Sequence, residues 1–267
     1  MGRVLQRFIL LAAAFGLIAA SVLSIRAFVA NDSSEEPGPL RAAIVDQLSL
    51  TFPSESFVQD ATRLLEQAGY IVDYYPGEEV TVEFYRDLPA RGADLLIVRA
   101  HSGLIGPSKN EPEDAFLFTS ELYSYTKYAE ERREHRLAQA YAIDFVGEGI
   151  DELQEAFSET PRYFGVASGF VESSMNGKFG DATVILMGCN VLAGERLAQA
   201  FIDKGASAVV GWDDFVSADH TDAATLSLLR NMLDENLSPQ EAAARAMAEV
   251  GPDPYYGANF IAYPPGG

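Results

Sequence analysis

The chain has 267 residues, 48% of them apolar, and a formal net charge of −20. That is enough apolar material for one sizeable core, while the acidity argues against nucleic-acid binding, which needs a basic face. A single cysteine excludes an internal disulfide framework, and three scattered histidines give no ligand spacing, so neither a metal nor another cofactor is expected.

The first 30 residues hold Arg3, Arg7 and Arg26 and no acid. The remainder therefore carries 16 basic against 39 acidic residues, a balance of −23 that suits a solubilising surface or a preference for basic ligands. Phe8 to Ile25 is an apolar run of 18 residues, long enough to cross a bilayer. With its positive flank inside, it reads as a membrane anchor that leaves the following domain extracytoplasmic. A cleaved secretory signal competes, although the small-residue pattern around Ala27 and Ala30 is a poor cleavage site. The polar, acidic NDSSEEPGP stretch from Asn31 reads as a tether. The expected organisation is anchor or signal over 1–30, tether over 31–40, and one α/β domain over 41–267.

Within that domain Arg41 to Leu50 reads as a first strand. Ser54 then caps a helix that carries Phe57, Ala61, Leu64, Leu65 and Ala68 on one face up to Gly69. Tyr70 to Tyr75 is a second strand, Thr81 to Leu88 a short helix, and Asp94 to Ala100 a buried strand delivering His101, Ser102 and Gly103 to its end. Residues 104–180 break this rhythm and read as an insertion that builds or covers a site. In it, Ala115 to Tyr128 alternates as an antiparallel hairpin or extension. Glu130 to Arg136 is a charged patch, Phe145 to Phe157 a short helix and Tyr163 to Val171 an extended piece. Thr183 to Met187 is the next buried strand, ending at Gly188, Cys189 and Asn190. A helix presenting Leu197, Ala200 and Phe201 leads to a strand over Ala206 to Gly211. Asp222 to Leu233 is a helix, Ser238 with Glu241 forms a capping box for another, and Asn259 to Tyr263 is a last strand. Strands alternating with helices predict a mostly parallel sheet flanked by helices, whose reactive groups lie at strand carboxyl ends.

Two such ends carry chemistry. Thiolate attack on a carbonyl needs a nucleophile, a base within hydrogen-bond reach, and donors aimed at the developing oxyanion. Cys189 is the one thiol. Of the histidines, His135 sits in a charged patch and His220 precedes a helix as a cap or loop residue, so His101 is the candidate base. The Gly103 and Cys189 amides are candidate oxyanion donors, because the small Ser102-Gly103 pair lets substrate approach the backbone. There is no G-x-S-x-G elbow, G-x-G-x-x-G fingerprint or P-loop, which disfavours a serine hydrolase or a nucleotide-binding domain.

An apolar strand ending in His-Ser-Gly, followed later by an apolar strand ending in Gly-Cys, resembles the caspase-like cysteine peptidases: caspases, gingipains, clostripain, legumain, separase and CHAT domains. The run GCNVLAGERLAQAFIDKGASAVVGWDDFVSADHTDAA is most similar to the gingipain and CHAT side of the clan. The resemblance spans about residues 40 to 263, its specific parts being 93–103 and 182–223. It implies a caspase-like three-layer fold and a membrane-tethered endopeptidase acting on a peptide or protein, with His101 as base and Cys189 as nucleophile. Asp213 and Asp214, after the following strand, would line a pocket for Arg or Lys. One departure is length: 88 residues separate His101 from Cys189, against about 50 in the caspase signature. The alternative is an inactive caspase-like module that binds peptide or a protein partner through the same cleft.

Overall fold

A computed structural model describes residues 38–106, 114–141 and 160–266. Among these, no helix is long and apolar enough to cross a membrane. The expected span Phe8 to Ile25 lies outside the described residues, as does the expected helix Phe145 to Phe157. The membrane-anchored, extracytoplasmic placement is therefore corrected: nothing in the described fold anchors the chain to a bilayer.

Six strands form one sheet: β1 (Arg41–Asp46), β2 (Ile71–Pro76), β3 (Leu95–Arg99), β8 (Thr183–Leu186), β9 (Ala208–Trp212) and β10 (Phe260–Tyr263), in the order β10-β9-β8-β3-β1-β2. All pair in parallel except β10, which lies antiparallel on β9. The apolar runs LLIVR and AVVGW are buried along their whole length, as expected of strands covered on both faces. The edge strand β2 is more exposed.

One face is covered by α1 (Glu55–Gln67), α6 (Ala218–Leu233) and α7 (Pro239–Val250), through a core that includes Phe57, Leu65, Trp212, Leu228 and Phe260. The other face carries α2 (Val82–Asp87), α4 (Ser168–Ser174) and α5 (Arg196–Asp203). The architecture is thus α/β, a mostly parallel sheet flanked by helices. Local signals at helix starts hold where a side chain can reach. Thr81 accepts from Phe84 N, and Ser238 with Glu241 forms the expected capping box. Ser54 occupies the N-cap of α1 but makes no side-chain cap bond.

The insertion is a second, four-stranded antiparallel sheet rather than a hairpin. Its strands are β4 (Ser102–Ile105), β5 (Asp114–Leu122), β6 (Leu137–Tyr141) and β7 (Arg162–Ala167), in the order β4-β5-β7-β6, with the short α3 (Ala129–Arg133) before β6. Ala115, Leu117, Phe164 and Val166 on one face join the main core beneath, whereas Phe116 and Phe118 on the opposite face belong to a separate small cluster. The piece expected to stay extended to Val171 turns helical at Ser168. The first strand likewise stops at Asp46, where Gln47–Leu50 tightens into a 3₁₀ turn.

Candidate functional site

β3 and β8 are neighbours, in register from Leu95↔Thr183 to Val98↔Leu186, and Met187 N donates to Val98 O at 2.9 Å. Continuing both chains places the His101 and Cys189 segments side by side. Ser102 Oγ donates to the Cys189 carbonyl at 2.5 Å. Only glycine fits at 188: a Cβ there would sit 2.7 Å from Ala100 O and closer still to Ser102 Oγ. The chain then turns at Asn190, whose φ of 57° is left-handed, and Asn190 N donates to Asp214 O at 2.9 Å.

His101 lies where the chain leaves the main sheet for the second one, beside the point where strand order reverses between β1 and β3. Crevices form at such switch points in open α/β sheets. Its backbone is held on both sides, the amide donating to Gln47 Oε1 (3.0 Å) and the carbonyl accepting from Phe118 N (2.9 Å). Its Nε2 is 3.0 Å from Thr51 Oγ1, and its ring packs on Phe52 and Phe118 with centroids 5.8 and 5.6 Å away. Gln47 and Thr51 were missed in the sequence because residues 47–50 read there as more strand. Their position just after an apolar strand was the available signal.

Cys189 is partly buried. Its Sγ faces Val216, whose amide donates to sulfur at 3.5 Å and whose carbonyl accepts from the thiol at 3.6 Å. Burial pushes the thiol above its ordinary range, the Val216 amide opposes this, and the charges of Asp253 and Asp214 add to the upward push. At rest, then, it is a neutral thiol. Asp253, not singled out from the sequence, is 2% exposed and accepts from Ser217 N and Oγ and from the Tyr255 and Tyr256 amides, at 2.6–2.9 Å. Burial works to raise its carboxyl, and these donors outweigh it, leaving it below the usual range.

Of the two acids expected to line a specificity pocket, Asp213 is committed to Asn259, accepting from its amide (2.7 Å) and side chain (3.2 Å) and so clamping β9 to β10. Asp214 is exposed beside the Cys189 turn. Phe215 and Tyr256, 55% and 57% exposed, pack together on the same rim at 5.9 Å. Gly103 pairs with Phe116 in the β4–β5 ladder. Hydrogen-bonded pairs alternate in such a ladder, and the bond from Phe118 N to His101 O sets the phase, so the Gly103 amide is engaged by Phe116. The Ser102 amide points away from β5. His220 falls inside α6, its Nε2 3.0 Å from Gly251 O and its ring packed on Trp212. His135 is exposed, as expected of a charged patch.

Two residues before His101, Arg99 is 1% exposed and bridges two carboxylates. It donates Nε and Nη2 to Asp222 at 2.8 and 3.1 Å, and Nη1 to Asp46 at 2.9 Å. This ties the ends of β1 and β3 to α6 beneath the site. Burial raises the Asp46 carboxyl more than Arg99 lowers it. Among the described residues no group of three or more His, Cys, Asp or Glu is placed to hold a metal ion.

No family model matches the chain, and no curated protein matches it. A structural likeness links it to the crystal structure of protein GSU0716 from Geobacter sulfurreducens. The TM-score is 0.37 and the identity 13%, over 84% of this chain and 93% of that one.

Proposed function

We propose that this is a caspase-like cysteine peptidase in which Cys189 attacks a peptide carbonyl and His101 moves the proton. The observation that carries the reading is the adjacency of β3 and β8, with Ser102 Oγ bonded to Cys189 O. In the proposed mechanism, Thr51 orients the His101 ring through its contact with Nε2. The thiol hydrogen goes to His101 as sulfur bonds to the carbonyl carbon. His101 then protonates the leaving amine, and water hydrolyses the thioester. The Ser102 and Cys189 amides take the oxyanion role, in place of Gly103. Asp214, with the exposed Phe215 and Tyr256, supports a basic side chain next to the scissile bond, by charge and by cation–π contact.

One observation favours the second reading, a peptide-binding module without activity: the resting thiol is buried, neutral and bonded to Val216. A single experiment separates the two. The full chain is treated with peptidyl electrophiles carrying Arg, Lys, Asp or Asn next to the warhead, alongside His101→Ala, Cys189→Ala and Thr51→Val, before and after limited proteolysis. The peptidase reading expects labelling at Cys189, lost in His101→Ala, and slowed roughly tenfold in Thr51→Val for one lost hydrogen bond of about 1.4 kcal/mol. Labelling indifferent to His101, or none under either condition, leaves the binding module.

A further inference from the structure

A groove of about 470 Å³ opens on the second sheet immediately beyond His101. Its walls come from β4 and β6, the two edge strands of that sheet among the described residues, and its floor from β5: Gly103, Ile105 and Ala138 share the sheet face of Phe116 and Phe118, and Ser102, Leu104, Leu137 and Gln139 line its sides. Phe116 lies flat because neither neighbour has a side chain. A Cβ at Gly103 would come within 2.7 Å of its ring, and one at Gly165 would overlap it. The aromatic row is continuous with the candidate site, running from Phe116 to Phe118 at 5.7 Å, to His101 at 5.6 Å and to the exposed Phe52 at 5.8 Å.

The backbone of both walls carries further information. In β4 the phase set by Phe118 N to His101 O turns the amides and carbonyls of Ser102 and Leu104 away from β5. In β6 the bond from Ala167 N to Arg136 O likewise turns those of Leu137 and Gln139 away from β7. Such groups recur every second residue, about 6.8 Å apart, which is the repeat of an extended polypeptide. A rigid small molecule does not match that repeat, whereas a peptide strand does.

We propose that this groove binds an extended polypeptide segment, paired with the edge of β4 that no described strand covers and resting an aromatic or branched apolar side chain on Phe116 and Phe118. The balance of −23 beyond residue 30 favours a segment with basic flanks. The inference rests on the peptidase reading for one point, that the segment is substrate. If its carbonyl reaches the Ser102 amide, the residues beyond pair with Leu104, so one register serves both sites.

The test uses full-length Cys189→Ala protein and a fluorescein-labelled peptide, Lys-Lys-Thr-Val-Thr-Phe-Thr-Val-Thr-Lys, followed by anisotropy. The control is the same peptide N-methylated at alternate residues, which keeps every side chain and removes the pairing donors. Saturable binding that weakens at least tenfold on N-methylation, and at least tenfold again in Leu104→Pro, is the expected result. Proline there removes an outward-facing N–H, a change edge strands tolerate, and also the leucine side chain packed on the main core, so Leu104→Ala, which keeps the N–H, runs beside it and should bind the peptide as the parent protein does. Equal binding of the two peptides, or no binding of either at millimolar concentration, overturns the proposal. So does a dimer in sedimentation velocity that Leu104→Pro dissolves while peptide binding is absent, since the edge would then serve a second copy of the chain. Because Cys189→Ala cannot react, loss of His101-dependent labelling together with methylation-sensitive binding refutes the peptidase and leaves the groove standing. The converse pair of results refutes the groove alone.

Discussion

Arg99→Met tests whether the buried ion triad holds the floor of the site. Methionine keeps much of the stem volume, including the contact under which the guanidinium sits 5.6 Å from the Phe57 ring, but removes three hydrogen bonds and the only positive charge between two carboxylates. Asp46 is 1% exposed and Asp222 7%, so neither can recover its hydration in place. Stripping a buried charge of its partner costs about 3–5 kcal/mol, about a fifth or more of the 5–15 kcal/mol typical of a domain. Urea unfolding followed by Trp212 reads this directly, since it is the only tryptophan, fully buried and stacked on Phe260 at 4.9 Å. The pH dependence has a definite sign. The Asp46 carboxyl is raised above 3.8 in the fold, first by burial and against the pull of Arg99. Stability from its protonation is therefore fully present below 3.8 and lost as pH rises through the raised value. Removing Arg99 raises it further, so the deficit of the variant is largest near neutral pH and shrinks toward pH 4. Combining Arg99→Met with Asp46→Asn and Asp222→Asn recovers most of the loss, because no charge is left uncompensated. A deficit under 1 kcal/mol, a deficit flat in pH, or a triple variant as unstable as the summed single variants would refute the reasoning.

Gly188→Ala forces a methyl against Ala100 O and Ser102 Oγ. Overpacking of this kind costs about 1–3 kcal/mol, so a drop in melting temperature is expected along with loss of peptidyl-electrophile labelling, and an unchanged melting curve would contradict the close approach of β3 and β8. Asp253→Asn removes a negative charge that raises the Cys189 thiol, so the pH profile of iodoacetamide alkylation moves to lower pH, and an unmoved profile would remove Asp253 from the thiol's electrostatics. The Asp253 carboxyl is itself depressed by its donors, against burial, so its contribution to stability is present above 3.8 and lost as pH falls through the depressed value. The stability gap between wild type and Asp253→Asn should therefore close on acidification, and a gap that widens there would contradict the depressed carboxyl.

What the sequence made legible was local burial. β3, β8 and β9 announce themselves as apolar runs because both faces of each are covered, and the capping box at Ser238 is written within four residues. The second sheet was not legible. LAQAY in β6 lacks the β-branched residues typical of strands, and it is a strand because β7, more than twenty residues on, pairs with it. The triad around Arg99 was hidden for the same reason, since its partners lie 53 and 123 residues away. The candidate site divides along this line. Which residues end the two strands is local information, and the sequence carried it as far as His101 and Cys189. The environment of each is not local: Gln47 and Thr51 come from the loop after β1, and Val216 and Asp253 from the loops that flank the β9–β10 pair. A cysteine at a strand end is compatible with either an activated nucleophile or a quiet core thiol; burial decides first, and the charges that add to it arrive from 25 and 64 residues downstream in Asp214 and Asp253. A neutral resting thiol could not have been read from GCN, nor could the turn of the Ser102 amide away from β5 from HSG, because the first is set by burial and the Val216 segment and the second by the phase of the β4–β5 ladder.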